Sequence, residues 1–241
     1  MSSKSTAAAA GSDNAILEEE QISAADYVKK LNVEWAPLLS MMNDYECASM
    51  EIETKFRVLN TRLSMDRESN PIETVKTRIK SVESIVRKLE TRGLPITLES
   101  ARENLFDIAG VRVICAFIDD IYRIEKLFLQ QDDVELITRK DYIKNPKPSG
   151  YRSLHLVIKT PIFTEEGRQD MFVEVQMRTI AMDFWASLEH KLRYKKDLDP
   201  ALLQDLSDEL EHCAAQSTEL DERMQKIRDR INSAQDGTQN K

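Results

Sequence analysis

The sequence has few of the residues that stabilise small secreted domains. Its three cysteines, Cys47, Cys115 and Cys213, are an odd and scattered set in 241 residues. This number and spacing predict neither a disulfide framework nor a cysteine-based metal site. Cys115 lies in an apolar run and Cys213 on an apolar helical stripe, so we interpret both as packing residues. Glycine and proline are also scarce, at 6 and 7 residues. The overall composition, with 41% hydrophobic and 32% charged residues, is ordinary for a soluble globular chain.

Long hydrophobic runs are missing as well. No stretch approaches the length of a membrane-spanning helix, and the N-terminus lacks an apolar core followed by a cleavage site. We therefore expect a cytoplasmic protein that has no membrane partner. The net charge of −8 argues against a non-specific nucleic-acid binder.

Positive charge is concentrated in two segments of this acidic chain. Residues 138–159 carry six Lys or Arg against one acid, and residues 74–92 carry six against two. Residues 197–241, by contrast, carry five against eleven acids. Two basic segments in an acidic chain predict a focused binding site for anions.

The pattern of apolar residues predicts an α+β fold, with a central mixed sheet flanked by helices and long helices at both ends. We expect disordered tails at 1–14 and 234–241, a helical region at 15–70, a central domain at 71–196 and C-terminal helices at 197–233. Elements within the central domain carry all of the candidate site residues.

Apolar stripes with alternating three- and four-residue spacing mark both ends of the chain. One runs through residues 28–63, where Pro37 predicts a kink or a second helix that begins near Ala36. The other runs through residues 203–231. Each stripe could pack against the domain or join copies of the chain, and we expect a homo-oligomer.

The segment after residue 70 is interpreted as another helix, which Pro71 opens and Arg92 and Gly93 close. Its apolar face would carry Ile72, Val75, Ile79, Val82, Val86 and Leu89, and its basic face Lys76, Lys80, Arg87 and Lys88. The basic face is either a solvated surface or a binding site for a polyphosphate.

A strand-rich section follows this helix. The predicted strands are 111–117, 134–139, 153–160 and 170–178, with one helix at 120–131 and another that Thr179 caps. The turn at 164–167 joins the last two strands as a hairpin. In the last strand, two valines and Met177 face the core, so Glu174, Gln176 and Arg178 share the other face.

Two acids are candidate metal ligands. Asp107 stands directly before the first strand and is soon followed by Gly110, although it could instead cap a turn. Glu174 lies between two valines and could instead belong to a solvated sheet face. Together the two carboxylates could bind one Mg²⁺, which takes one or two carboxylates plus substrate phosphates.

The segment before the hairpin combines cations with an aromatic ring. Its basic residues are Lys140, Lys144, Lys147 and Arg152, with His155 just beyond. Pro146, Pro148 and Gly150 are typical of an ordinary connection. Tyr151 favours a nucleotide site instead, because a ring beside phosphate-binding cations can stack on a base.

Five motifs in this order resemble those of RelA/SpoT-type (p)ppGpp synthetase domains. They are T-R-I-K-S-V-E-S-I, D-I-A-G-V-R-V, K-D-Y-I-K-N-P-K-P-S-G-Y-R-S-L-H-L, V-E-V-Q-M-R-T and M-D-F-W-A-S-L-E-H. The similarity covers residues 74–196, and residues 141–191 are most similar to RelP among the stand-alone small alarmone synthetases of the RelP and RelQ kind. The resemblance implies a nucleotidyltransferase-like sheet, a homotetramer, and RNA or the product as a candidate regulator.

The resemblance also implies the activity of a GTP diphosphokinase in stringent-response signalling. Such an enzyme transfers the β,γ-pyrophosphoryl group of ATP to the 3′-hydroxyl of GDP or GTP and releases AMP. Asp107 and Glu174 would hold Mg²⁺, and Glu174 would help to deprotonate the 3′-hydroxyl.

By the same resemblance, Arg78 and Arg112 would stack on adenine, and Lys80, Lys88 and Arg92 would meet the ATP phosphates. The implied GDP or GTP site consists of Tyr151 on guanine, Lys140, Lys147 and His155 near phosphate, Gln176 beside the site, and Asp183 and Glu189 near the guanine edge.

Some features depart from the larger members of that family. Thr138 replaces the first basic residue of their acceptor loop, which leaves Arg139 or Lys140 to contact phosphate. The chain lacks their histidine-and-aspartate hydrolase motifs and has only three histidines, so we expect no alarmone hydrolase activity. A catalytically weak nucleotide- or RNA-binding regulatory module, or a helical assembly unit, are the alternatives.

Overall fold

The computed structural model describes residues 24–65, 70–193 and 200–239. The elements are α1 (Ala24–Met65), β1 (Ile72–Ile79), α2 (Val82–Thr91), α3 (Leu98–Asn104), β2 (Ala109–Cys115), α4 (Ile118–Phe128), β3 (Glu135–Asp141), β4 (Leu154–Thr164), β5 (Gly167–Thr179), α5 (Ile180–Arg193) and α6 (Pro200–Gln239). The chain divides into two units, Met1–Pro37 and Leu38–Lys241, and the second contains the sheet.

The expected α+β architecture is confirmed. Five strands form one sheet in the order β1-β2-β5-β4-β3, in which β2 and β5 are parallel and all other neighbours are antiparallel. The hairpin predicted from the turn at 164–167 joins β4 to β5, and Gly167 supplies the positive φ of 104° that this turn requires. The parallel pair brings the start of β2 beside the middle of β5.

One face of the sheet forms the core. The alternation in β4 and β5 is confirmed, because Leu154, Leu156 and Ile158 are fully buried, as are the two valines and Met177 of β5. Helices α1 and α4 cover this face, and their Phe56 and Phe128 rings stack with centroids 4.4 Å apart. The intervening residues of β4 and β5 are left for the opposite face.

The N-terminal stripe belongs to a single helix. Pro37 lies inside α1, so no second helix begins near Ala36. From residue 38 onwards the stripe faces the core, where its side chains such as Tyr45 and Ile52 are buried, whereas Leu39 and Val58 on other faces of α1 are exposed. The prediction of a disordered tail at 1–14 concerns residues outside the described part of the chain.

The prediction of a helix from Pro71 to Arg92 is wrong in its first half. Residues 72–79 form the edge strand β1, which pairs with β2, and the helix α2 begins only at Val82. Ser81 caps α2 by accepting a hydrogen bond from the Ser84 backbone N–H. Apolar residues three and four apart fitted a helix, but the β-branched residues of this segment favour a strand.

Two further helices differ from expectation. The short helix α3 was not predicted, and it is capped by Thr97, whose hydroxyl accepts from the Ser100 N–H at 3.1 Å. Helix α6 extends to Gln239, so the predicted disordered tail from residue 234 is wrong up to that residue. In the described ranges, no helix is both long enough and apolar enough to cross a membrane.

Candidate active site

A cross-strand row of polar side chains lies on the sheet face opposite the core. Register pairing aligns Lys76, Arg112, Gln176, His155 and Lys140 across β1, β2, β5, β4 and β3. Residues opposite each other in a sheet point to the same face. The sheet therefore gathers three cations, an amide and an imidazole from five separate strands into one line.

Beside this row lies a cleft of about 370 Å³. It is lined by Lys76, Thr77, Arg78, Lys80, Asp107, Ile108, Gly110, Val111, Arg112, Glu174 and Gln176. The structure thus brings Asp107 and Glu174, which are far apart in the sequence, to one cleft with three of the predicted ATP-side cations. It does so because Gly110, just after Asp107, is the register partner of Glu174.

Asp107 lies at the end of the cleft that is next to Lys80 and Lys88. Its Oδ2 accepts hydrogen bonds from Lys80 Nζ at 2.9 Å and from Lys88 Nζ at 2.5 Å. Its Oδ1 is buried and has no hydrogen-bond partner. Burial alone raises the pKa of this carboxyl, but the two lysines lower it below its ordinary value, so Asp107 is ionised at neutral pH.

Glu174 lies at the centre of the sheet face. Its Oε1 is 3.2 Å from Nδ1 of His155, and its Oε2 accepts a hydrogen bond from Gln176 at 2.8 Å. Burial raises the pKa of Glu174, while His155 and Gln176 lower it by more, so that it lies below its ordinary value. The carboxylate is therefore ionised, oriented and able to accept a proton.

The two carboxylates fit a divalent cation that shares its ligands with substrate. Asp107 Oδ1 has lone pairs that no protein group uses, and hard cations prefer oxygen ligands. In the described residues no group of three or more acidic, histidine or cysteine side chains is clustered tightly enough to hold a metal alone. The donor set thus resembles that of Mg²⁺ sites completed by phosphates rather than that of an all-protein cage.

The segment of residues 142–153, which we call the basic loop, connects β3 to β4. Asp141 begins it by accepting hydrogen bonds from the backbone N–H groups of Ile143 and Lys144, at 3.1 and 3.0 Å. A turn closes it, because the Gly150 N–H bonds to the Lys147 carbonyl at 2.8 Å. These bonds give the loop a defined shape beside the sheet face.

Tyr151 is the centre of an aromatic and cationic cluster. Lys147 Nζ lies 4.9 Å from the centroid of its ring and 4.7 Å from that of Tyr142. The Tyr151 hydroxyl is 2.8 Å from Nε2 of His155, whose other nitrogen faces Glu174. Contacts through His155 therefore connect Tyr151 of the basic loop to the carboxylate of Glu174.

Arg178 is a site residue to which the sequence analysis gave no role. Its guanidinium, almost fully buried, donates to the Tyr151 hydroxyl at 2.6 Å, to Gln176 Oε1 at 3.1 Å and to Asp183 Oδ1 at 3.1 Å. Its position four residues after Glu174 on an alternating strand was the available signal. A buried arginine with three polar partners fixes the orientation of each of them.

Asp183 links the two ends of the site. Its Oδ1 accepts a hydrogen bond at 3.2 Å from Arg112, which lines the cleft. The same oxygen accepts a hydrogen bond from Arg178, which also donates to the Tyr151 hydroxyl. Asp183 therefore lies between the two halves of the site.

The structure does not bring every predicted residue to the cleft. Arg92 donates to the Asn104 carbonyl at 2.8 Å, at the ends of α2 and α3. Arg152, expected among the phosphate-binding cations, is buried against α6 instead. Glu189 lies half-buried on α5, outside the residues that line the cleft.

Arg139 and Lys140 point to opposite sides of β3. Arg139 forms a bidentate pair with Glu125 on α4, at 2.6 and 3.0 Å. Lys140 is the register partner of His155 and is exposed on the site face. The alternation of the strand, which the motif alone did not resolve, therefore leaves Lys140 as the cation that faces the site.

The chain matches a known family of proteins. The family model described as the region found in RelA / SpoT proteins matches residues 77–199. The chain is 44% identical to the GTP pyrophosphokinase YwaC of Bacillus subtilis (strain 168) over 187 residues, which cover 78% of this chain and 88% of that protein.

Solved structures show the same similarity. Small alarmone synthetase 1 of Bacillus subtilis bound to its product pppGpp is 34% identical, with a TM-score of 0.73, over 82% of this chain and 98% of that one. The same synthetase bound to AMPCPP is 32% identical, with a TM-score of 0.68, over 83% and 98% of the two chains. The sequence motifs, the sheet and these matches together show that the chain belongs to the RelA/SpoT family, among its small alarmone synthetases.

Proposed function

We propose that this protein is a (p)ppGpp synthetase, which transfers the pyrophosphoryl group of ATP to the 3′-hydroxyl of GDP or GTP and releases AMP. The observation that carries this proposal is the meeting of Asp107 and Glu174 in one cleft lined by the cations of β1 and β2, with His155 joining Glu174 to Tyr151 of the basic loop. A regulatory module without catalysis has no need of two ionised carboxylates in that place. The relative YwaC, a GTP pyrophosphokinase, and the nucleotides bound in the two small alarmone synthetase 1 structures support the same assignment.

ATP is assigned to the side of the cleft formed by β1, β2 and α2. Arg78 and Arg112 line this side and present guanidinium planes on which adenine can stack. Lys80 and Lys88 lie at Asp107, where they can neutralise phosphate charge. Arg92 is left out of this assignment because it is engaged at the end of α3.

The guanine nucleotide is assigned to the side formed by the basic loop and β4. Tyr151 supplies the ring for guanine, and Lys147, Lys140 and His155 supply charge and hydrogen bonds for its phosphates. Gln176 orients Glu174 at the meeting point of the two substrates. Asp183 assists both sides through Arg112 and Arg178.

Catalysis then depends on position and charge. Glu174, ionised and held by His155 and Gln176, accepts the proton of the 3′-hydroxyl as that oxygen attacks the β-phosphorus of ATP. The cations of the cleft stabilise the charge that develops on the transferred phosphates. Asp107 and Glu174 would hold Mg²⁺, which when bound supplies further neutralisation of that charge.

The direct test is a product assay with ATP, Mg²⁺ and either GDP or GTP. We expect AMP and a 3′-pyrophosphorylated guanosine nucleotide in equal amounts, and no product in the presence of EDTA. Formation of ADP alone would contradict the transfer reaction. Incubation of the protein with the purified 3′-pyrophosphorylated nucleotide tests the expectation of no hydrolase activity. Any release of pyrophosphate from that nucleotide would disprove the expectation.

A homo-oligomer is the second part of the proposal. The outer faces of α5 and α6 expose apolar side chains at helical spacing, namely Ile180, Phe184, Leu188, Leu192, Leu220, Met224, Ile227 and Ile231. Such a surface is large for a soluble monomer and fits a second copy of the chain. By this proposal the C-terminal helices are the assembly region, and the implied state is a tetramer.

Light scattering coupled to size-exclusion chromatography tests the assembly. We expect the wild-type chain to elute as a tetramer and the double variant Phe184→Ser and Ile227→Ser to elute as smaller species. The matched control is Phe163→Ser, because Phe163 is exposed at the β4–β5 hairpin and not on α5 or α6. A wild-type monomer at micromolar concentration would contradict the proposal.

A further inference from the structure

The basic loop rests directly on α6. Gly150 has a positive φ of 80°, and a Cβ placed on it would lie 2.4 Å from the Cβ of Ala214. Trp185 of α5 packs at the same point and donates its Nε1–H to the Leu210 carbonyl of α6 at 3.1 Å. The loop backbone can approach the helix this closely only because residue 150 has no side chain.

Arg152 anchors the loop to the same helix. Its side chain, 9% exposed, donates to Thr218 Oγ1 at 3.1 Å and pairs with Asp221 at 3.7 Å. The side chain of Asp221 is 6% exposed. A buried arginine is stable only when it is paired, so Arg152 can keep this position only while α6 is in place.

Asp221 also holds the end of β5. Its Oδ2 accepts a hydrogen bond from the Thr179 hydroxyl at 2.8 Å. Thr179 directly follows Arg178, which bonds to the Tyr151 hydroxyl, and Arg152 directly follows Tyr151. The Asp221 carboxylate thus contacts Arg152 and Thr179. These two residues are the chain neighbours of Tyr151 and Arg178.

We propose that Asp221 is a positioning residue: through Arg152 and Thr179, it makes α6 a structural part of the guanine-nucleotide site. The Tyr151 ring is held from two directions, by the loop that Arg152 anchors and by Arg178 on the strand that Thr179 ends. The ATP-side residues of the cleft lie on β1, β2 and the segments next to them, and none is bonded to Asp221. Loss of the Asp221 contacts should therefore weaken guanine-nucleotide binding and spare ATP binding.

This inference rests on the proposed function for the identity of the two nucleotides, so its test uses binding rather than turnover. The chain has two tryptophans, Trp35 and Trp185. In a Trp35→Phe background, Trp185 fluorescence reports from the junction of loop, α5 and α6. GDP is titrated against this signal without ATP, and AMPCPP binding is measured by calorimetry without GDP.

We expect Asp221→Asn to raise the Kd for GDP about 10-fold or more, and to change the Kd for AMPCPP less than about 2-fold. Thr218→Val is the gentler variant, because it removes one acceptor of Arg152 but leaves the charges paired. It should raise the Kd for GDP in the same direction by a smaller factor. If Asp221→Asn does not fold, as judged by thermal melting, Thr218→Val decides the question.

Arg228→Met is the matched control. Arg228 lies two helical turns after Asp221 on the same helix and pairs with Asp119 of α4 at 2.9 and 2.6 Å, away from the loop. Its loss removes an ion pair of α6 that the proposal does not use, so it should lower the melting temperature without changing either Kd. If this variant weakens GDP binding as much as Asp221→Asn does, the effect is a general one and the proposal is wrong.

Two further results would also overturn the proposal. One is a folded Asp221→Asn protein that binds GDP like the wild type, and the other is an equal loss of GDP and AMPCPP binding. Failure of the proposed function gives a different result. A wild-type chain that binds GDP but forms no product would fail the product assay, and the comparison of Kd values would still decide the role of Asp221.

Discussion

The two halves of the site are built in different ways. The proposed ATP side consists of charged residues on or beside β1, β2 and α2, where the carboxylate of Asp107 already binds two lysines. The proposed guanine side consists of a loop whose ring is surrounded by Lys147, His155 and Arg178 and whose backbone rests on α6. One half is a sheet surface, and the other is a loop that needs support.

The contrast shows how the protein positions a loop that has no ladder of sheet hydrogen bonds. The pairing of a strand with its neighbours fixes the direction of its side chains, so the sheet places the cations of β1 and β2 on the site face, where Asp183 of α5 adds an ion pair to Arg112. A loop has no ladder of backbone hydrogen bonds, so its geometry depends on turns, caps and packing partners. Substitutions should therefore separate into those that affect one substrate and those that affect both.

Glu174→Gln addresses the point where the two halves meet and should have the largest effect. The amide cannot accept the proton of the 3′-hydroxyl, so we expect kcat to fall about 10²–10⁴-fold while folding is retained. The measurement is AMP release with both substrates saturating. Asp170→Asn, an exposed change on the same strand, is the control and should keep wild-type turnover.

Tyr151→Ala should affect only the guanine half. Stacking of one base on a ring contributes about 1–3 kcal/mol, so the KM for GDP or GTP should rise roughly 5- to 150-fold. The KM for ATP should change little. Tyr151→Phe keeps the ring and loses only the hydroxyl bonds, so its effect should be smaller; equal shifts for both nucleotides in Tyr151→Ala would end the division into halves.

Arg78→Met should show the opposite pattern. Arg78 lines the ATP side, and a cation–π contact with adenine is worth about 1–2 kcal/mol when it is desolvated. The KM for ATP should rise about 10-fold, while the KM for the guanine nucleotide stays within a factor of about two. The reverse selectivity, measured by varying one substrate at a time, would exchange the two assignments.

Neighbouring residues on β3 give the smallest and most specific comparison. Lys140→Ala should raise the KM for the guanine nucleotide a few-fold and leave the melting temperature unchanged, because Lys140 is exposed on the site face. Arg139→Ala should leave both KM values unchanged and lower the melting temperature, because the buried Glu125 loses its ion-pair partner. An exchange of these two outcomes would mean that the register of β3 is wrong.

The outcome at residues 72–79 shows the limit of sequence patterns for short elements. Three apolar positions in that segment suit either a helix or an edge strand, and the pairing with β2 decides for the strand. Alternation in β4 and β5 was a better guide, because every second residue from Leu154 to Ile158 and from Val173 to Met177 is fully buried. It correctly placed Glu174 and Gln176 on one face.

The two terminal stripes show the same limit at a larger scale. Similar spacing predicted a long helix in each case, and both helices are present. Residues of α1 beyond Leu38, such as Tyr45 and Phe56, are buried in the core, whereas Met224 and Ile231 of α6 are exposed. Periodicity fixes which face of a helix is apolar but not what covers it.

The amino-acid sequence was enough to identify the family and to name Asp107, Glu174 and most of the cations that the fold brings to the cleft, because these depend on residue types in a fixed order. Only the folded chain shows where Arg152 and Arg178 lie. Their charges look equally suited to phosphate in the sequence, but each is buried against a carboxylate from another element. Electrostatic energy depends on distance and burial, and only the folded chain sets those two quantities.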